Sequence, residues 1–200
     1  NKLLGGILSS AGQAAKIVKN MLAFGRSSSM LGSPVYEKAD IVAMLEDTIV
    51  LLSSDYDLRH GYDFRKIKIK RNLPPALPRI SSDPALIQQV FFNILKNCAQ
   101  IFGTDGWDKM GPCIEVTVRK EGEWLKLSVE DNGPGMTEEV RQRIFEPFYT
   151  TKEVGKGAGL GMSFVYFIVK DFHHGHIDVT SSPGEGCRFD IWLPIEPRPE

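Results

Sequence analysis

Residues 113–120 (CIEVTVRK) and 124–131 (WLKLSVED) alternate between apolar and polar positions on either side of the turn EGE, and this pair constrains the fold more than any other feature. A period of two marks a strand with one buried face, and a short connection containing glycine joins two such strands as an antiparallel hairpin. The second strand carries an anomaly. Leu125, Leu127 and Val129 share one face, and the same alternation puts Asp131 among them. A carboxylate directed inward is costly unless something hydrogen-bonds to it. Asp131 also opens DNGPGM (131–136), whose Asn, Gly and Pro supply an ordinary turn.

Around the hairpin, ADIVAMLEDTIVLLS (39–53) predicts a helix, KIKIK (66–70) a strand and NLPPALPRI (72–80) an extended linker. SDPALIQQVFFNILKNCAQIF (82–102) predicts a strong helix, opened by Asp83 at the N-cap and Pro84 in the first turn. TEEVRQRIF (137–145) reads as a helix, and MSFVYFIVKDF (162–172) as a buried one because it is apolar nearly all round. HIDVTS (176–181) and CRFDIWLP (187–194) form a closing strand pair around SPGEG. Without a regular βαβ alternation, the order predicts an α+β sandwich, one mixed sheet with helices on one face. Ahead of it, Leu4, Leu8, Ala11, Ala15, Val18 and Leu22 trace an amphipathic helix, broken by SSSMLGSP (27–34). Its seam suits packing on its own domain or a helical bundle. Nothing after it pairs as a hairpin, so a homodimer through this helix is expected. The chain thus divides into 1–33 and 34–200.

Composition excludes several classes. The 200 residues are 42% hydrophobic and 24% charged, which is ordinary globular usage. A net charge of −1 gives no reason to expect a nucleic-acid surface. Cys98, Cys113 and Cys187 lack CxxC or Cys/His spacing, so neither a disulfide framework nor a structural zinc site is expected, and a cytoplasmic setting is. No apolar run reaches the roughly 18 residues of a membrane span. The sequence starts with Asn and reads as a piece of something longer, so any membrane anchor is expected outside it.

Three polar clusters compete with packing. Asn93 and Asn97 are one turn apart at the edge of the apolar stripe of 82–102. They are either solvated or capping amides, or carbonyl ligands for a hard cation such as Mg²⁺. GKGAGLGM (155–162) precedes the buried helix, with Gly157, Gly159 and Gly161 leaving backbone N–H groups open at a helix start. Its G-x-G-x-G spacing is neither a P-loop nor a dinucleotide fingerprint. A ligand-free hinge is the alternative, against which Lys152 and Lys156 favour phosphate. In the third cluster, Gly133 and Gly135 let a flat ligand approach the backbone, and Asp131 is placed to accept from an exocyclic amine such as that of adenine.

The order of these clusters resembles the boxes of the GHKL ATPases, and within them the catalytic ATP-binding domain of bacterial sensor histidine kinases. QVFFNILKNCAQ (89–100) resembles the N box, VEDNGPGM (129–136) the first G box, IFEPFYTTK (144–152) the F box and GKGAGLGMS (155–163) the second G box. SSPGEGCRFDIWLP (181–194) resembles the last glycine box and closing strand, and NMLAFGR (20–26) the end of the second helix of the dimerisation and phosphotransfer hairpin. The resemblance implies a Bergerat-type two-layer α/β sandwich over about 37–196. It implies that Asn97 coordinates Mg²⁺, that Asn93 helps set metal and phosphate geometry, and that Asp131 binds the adenine amine of ATP in a pocket shaped by Gly133 and Gly135. Phe145 and Phe148 would anchor a lid, Lys152 would reach phosphate, and Gly157, Gly159, Leu160 and Gly161 would wrap the phosphates. The reaction implied is transfer of the ATP γ-phosphoryl to a histidine and onward to a response regulator. A regulatory nucleotide-binding module and a hydrolytic ATPase are the alternatives. Against the family's pattern stand Ala158 and Cys187, where threonine is usual, and Gln100, where a lysine is common. The phosphoacceptor is also missing from the leading helix. His60 lies in the polar stretch DLRHGYD, and His173, His174 and His176 mark a helix end with Gly175 at its C-cap. The accepting histidine is therefore expected outside this sequence.

Overall fold

Residues 36–54, 63–103, 111–152 and 157–197 are described by a computed structural model of the chain. The amphipathic segment 3–24, the expected 1–33 unit, His60 and Lys156 lie outside the described residues. Strand β1 (Glu37–Ala39) leads into helix α1 (Ile41–Ser54), whose N-cap Asp40 accepts from the Val42 and Ala43 N–H groups at 3.1 Å each. Strands β2 (Lys68–Asn72) and β3 (Ile80–Ser82) precede helix α2 (Pro84–Ile101). Asp83 caps α2 through the Ala85 and Leu86 N–H groups, the role its position before Pro84 predicts. The hairpin β4 (Cys113–Glu121) and β5 (Trp124–Asp131), the short helix α3 (Glu138–Arg143), helix α4 (Gly161–Phe167) and strands β6 (His176–Ser181) and β7 (Cys187–Pro194) complete the order.

Five strands form one mixed sheet in the order β2-β4-β5-β7-β6, parallel between β2 and β4 and antiparallel elsewhere. The register sets Val116, Val129 and Phe189 in one buried row and Val118, Leu127 and Ile191 in the next. Helix α2 lays Ile87, Val90, Phe91, Ile94, Leu95 and Cys98 on this face, all at most 2% exposed, and packs against α1, α4 and β5. Alternation sends the intervening residues to the opposite face. There Lys126 stands 3.3 Å from Asp190 and 4.3 Å over the Trp192 ring, so a lysine replaces an aliphatic core. The α+β sandwich is the fold expected, and all described residues fall in one compact unit, Val35–Glu200.

Several boundaries differ from expectation for local reasons. The strand expected at 66–70 starts at Lys68, because Asp63 caps a 3₁₀ turn over Phe64–Lys66. The extended linker ends in β3, which pairs with β1; strands of three residues are too short to show a period. Helix 137–145 is trimmed to Glu138–Arg143 behind the Thr137 cap. The helix expected at 162–172 is α-helical only to Phe167 and continues as a π turn over Ile168–Phe172, with Tyr166 38% exposed rather than buried. Gly175 is not the left-handed residue that ends it. His174 takes that conformation (φ 52°), and Gly175 is needed because a Cβ there would lie 2.4 Å from the Trp192 carbonyl oxygen.

Candidate functional site

Asp131 ends β5 on the inner face, in a cross-strand row between Ile114 and Cys187. It is 2% exposed. Its Oδ1 accepts from the Gly133 N–H at 2.9 Å, and its buried Oδ2 has no hydrogen-bond partner among the described residues. Burial raises the carboxyl pKa, opposed first by the Gly133 N–H and then by the Cys98 thiol of α2 and the Cys187 N–H, which approach the carboxyl without bonding Oδ2. Burial also pushes the Cys98 and Cys187 thiols up, with the Asp131 charge as the next cause at each. Both cysteines are therefore neutral and offer little hydrogen bonding. A buried carboxylate oxygen left without a donor costs about 1–3 kcal/mol or more, so its presence here calls for a reason.

The turn after Asp131 is stitched to the β6–β7 turn. The Met136 N–H donates to Ser181 Oγ at 2.8 Å, Ser181 Oγ donates to the Gly186 carbonyl at 2.6 Å, and the Gly184 N–H donates to the Pro134 carbonyl at 2.6 Å. Gly135 is at φ 70°, with the Ser182 oxygen where its Cβ would be, 2.0 Å away. A Cβ on Gly133 would lie 2.7 Å from Asp131 Oδ1 and 2.8 Å from Ile101. Asn132 pins the turn to β4, its Oδ1 accepting from the Cys113 N–H at 2.8 Å. Sequence reasoning left Ser181 and Cys98 without roles at this site. Ser181 carries no signal beyond its place before a glycine turn, and Cys98 reads as an ordinary stripe residue.

Helix α2 presents Asn93 and Asn97 half-buried on the face next to the glycine segment. Asn97 Oδ1 accepts from Lys152 Nζ at 3.3 Å, and Gln100 Oε1 accepts from the same ammonium at 2.5 Å. Burial, followed by the charge of Lys96, lowers the Lys152 pKa. The Cβ position of Gly161 is 3.7 Å from Asn93 Oδ1, and that of Gly157 is 3.3 Å from Lys152 Cδ. Gly159, at φ 66°, approaches the Phe148 backbone so closely that a Cβ would lie 2.4 Å from its carbonyl carbon. Leu160 precedes α4, its carbonyl accepting from the Phe164 N–H and Ser163 Oγ at 3.1 Å each. Phe145 packs on Tyr166 with ring centroids 5.4 Å apart. Phe148 has a 61% exposed side chain and a left-handed backbone (φ 66°), so its contact with the glycine segment is made by main chain.

The structure thus brings Asn97 to Lys152, Gly157 to Lys152, Gly161 to Asn93 and Gly159 to Phe148. The donor set suits Mg²⁺ with a polyphosphate. Asn93 and Asn97 offer neutral hard oxygens, and among the described residues no three His, Cys, Asp or Glu side chains gather as a metal cage. The orphaned Asp131 oxygen suits an adenine amine. His173 belongs to neither group. Its Nδ1–H donates to the Ile168 carbonyl at 2.8 Å while Nε2 accepts from the Asp83 N–H at 3.2 Å, so both ring nitrogens are engaged structurally.

Residues 82–197 match the family model described as histidine kinase-, DNA gyrase B- and HSP90-like ATPase. Sensor histidine kinase ZraS of Escherichia coli O157:H7 is 33% identical over 159 residues, 80% of this chain and 31% of that protein. The chain therefore spans less than a third of the length of that relative. Among solved structures, full-length ShkA in complex with AMPPNP matches with a TM-score of 0.73 at 24% identity, over 96% of this chain and 38% of that one. Histidine kinase ThkA in complex with the response regulator TrrA matches with a TM-score of 0.69 at 22% identity, over 94% and 49%. At these identities the likeness is one of fold.

Proposed function

The chain belongs to the histidine kinase-, DNA gyrase B- and HSP90-like ATPase family, and from that premise we propose that residues 34–200 are the ATP-binding kinase domain of a two-component sensor histidine kinase. The observation that supports this most is Asp131, a buried carboxylate with one oxygen unpartnered among the described residues, in a row with Ile114 and Cys187. Asp131 accepts from the adenine amine, while Gly133 and Gly135 keep the pocket wall free of side chains. Asn97 and Asn93 hold the metal and orient the phosphates, and Lys152 supplies positive charge on the lid side. Bound Mg²⁺ neutralises and polarises the phosphate oxygens. Gly157, Gly159, Leu160 and Gly161 bring main chain to the phosphates. The amide of Asn93 cannot take a proton from water, which favours transfer to a positioned acceptor over hydrolysis. That acceptor is a histidine other than the four of this sequence, and the phosphoryl then passes to a response regulator; ThkA in complex with TrrA supports a partner of this kind. Dimerisation through the segment 3–24 and a cytoplasmic setting belong to the same proposal. Among the described residues no helix is long and apolar enough to cross a membrane.

Isothermal titration of Asp131→Asn with ATP and Mg²⁺ tests the reading. The amide directs a donor at the adenine amine, so affinity falls about tenfold or more with the circular dichroism spectrum intact. Unchanged affinity would reduce Asp131 to a turn residue. Incubated alone with γ-labelled ATP and Mg²⁺, the chain stays unlabelled; label on His60, His173, His174 or His176 would overturn the placement of the acceptor.

A further inference from the structure

Lys152 is held in an unusual way. Its ammonium donates to two neutral amide oxygens, Asn97 Oδ1 at 3.3 Å and Gln100 Oε1 at 2.5 Å, both from α2. Among the described residues no carboxylate pairs with it. Its backbone N–H donates to Thr150 Oγ1 at 3.2 Å, which fixes the start of the side chain. Gly157 leaves room for the stem, because its Cβ position lies 3.3 Å from Lys152 Cδ and a side chain there would press on the lysine. Helix α2 and the residues flanking Lys152 therefore converge on one positive charge.

On the premise that this is a nucleotide site, we propose that Gln100 is a positioning residue that, together with Gly157, seats the Lys152 ammonium beside the Asn97 oxygen to receive nucleotide phosphate. The choice of side chain is chemically specific. A glutamine oxygen orients an ammonium without cancelling its charge, whereas a glutamate would neutralise it and repel phosphate, and a lysine would expel it. An ammonium has three N–H bonds; two are directed at Asn97 and Gln100, and the third is left for an anionic oxygen. The Asn97 oxygen is shared, so a cation bound there competes with Lys152 for it, and Gln100 keeps the ammonium near while that exchange happens.

The test is titration of the chain with ATP plus Mg²⁺ and, separately, with adenosine, which lacks phosphate. Lys152→Gln is expected to weaken ATP about tenfold, and Gln100→Leu about threefold, each leaving adenosine affinity unchanged. The double variant Gln100→Lys with Lys152→Gln moves the charge from the lid side to α2, and ATP affinity is expected to return to within about threefold of wild type. Gln100→Leu binding ATP as tightly as wild type overturns the seat. So does an equal loss of ATP and adenosine, which marks a structural disturbance, or a double variant no better than Lys152→Gln. A wild-type chain binding neither ligand overturns the nucleotide reading, and the seat with it.

Discussion

At the scale of single residues, Asp131 carries loads that pull in opposite directions. Burial raises its folded pKa, so the folded chain keeps that proton to higher pH than the unfolded chain does. The contribution to stability is complete below the unfolded value of 3.8 and is lost as pH climbs through the raised value, leaving a net penalty at neutral pH. Asp131→Asn keeps the acceptor for the Gly133 N–H and removes the charge. Its Tm at pH 7.5 is therefore expected to equal or exceed that of wild type, and the advantage to shrink in melts at pH 4.5. A variant melting well below wild type at pH 7.5 would show that the carboxylate stabilises the fold. Adenosine affinity is expected to fall with acidification at a pH above the ordinary carboxylate range, as the carboxyl takes up its proton. The inward direction of Asp131 was legible from the alternation of Leu125, Leu127 and Val129. Its unpartnered oxygen was not, because that depends on Cys98 and Cys187, which reach it from elements remote in sequence. The same holds for Gln100, which read only as a departure from a family pattern and is in fact bonded to Lys152.

Among elements, the end of the α4 segment is the least regular. The π turn over Ile168–Phe172 brings the Ile168 carbonyl to His173, and the imidazole passes the connection to the N-terminus of α2 through the Asp83 N–H. Burial lowers the His173 pKa, so the ring is neutral in the fold. Its stabilising contribution is present above the unfolded value of 6.5 and is lost as pH falls through the folded value, since the unfolded chain takes up the proton first. The neighbouring charges, Asp83 raising and His174 lowering, act after burial. His173→Gln is expected to destabilise by about 1–3 kcal/mol at pH 7.5. The gap from wild type should narrow in urea titrations from pH 7.5 to 5; a constant gap would show that protonation of this ring does not matter. Periodicity located α2, the β4–β5 hairpin and the β6–β7 pair because each is long and buries one face. It missed β1, β3 and the π turn. The first two are held by pairing alone, and the turn is set by tertiary bonds from His173 and Tyr36, whose hydroxyl donates to the Phe172 carbonyl at 2.8 Å.

For the whole molecule, the proposed site draws on α2, β5, the Lys152 segment and the glycine segment before α4, so a ligand there braces parts that the sheet alone does not join. ATP with Mg²⁺ at about a hundred times Kd contributes about 2.7 kcal/mol. In a domain of this size that raises Tm by about 5–10 °C. Differential scanning fluorimetry should find this shift in wild type and a smaller one in Lys152→Gln at the same concentrations; no shift in wild type would argue against the proposed function. Strand β7 lies between β5 and β6, although it follows both in the chain. During synthesis β5 leaves the ribosome with one flank bare, and the row of Ile114 and Asp131 waits for Cys187. Until then Asp131 cannot be shut away from water, and its spare oxygen is an ordinary solvated one. The adenine acceptor is thus acquired only once β7 has been made, and a chain holding every box but the last is expected to offer no pocket.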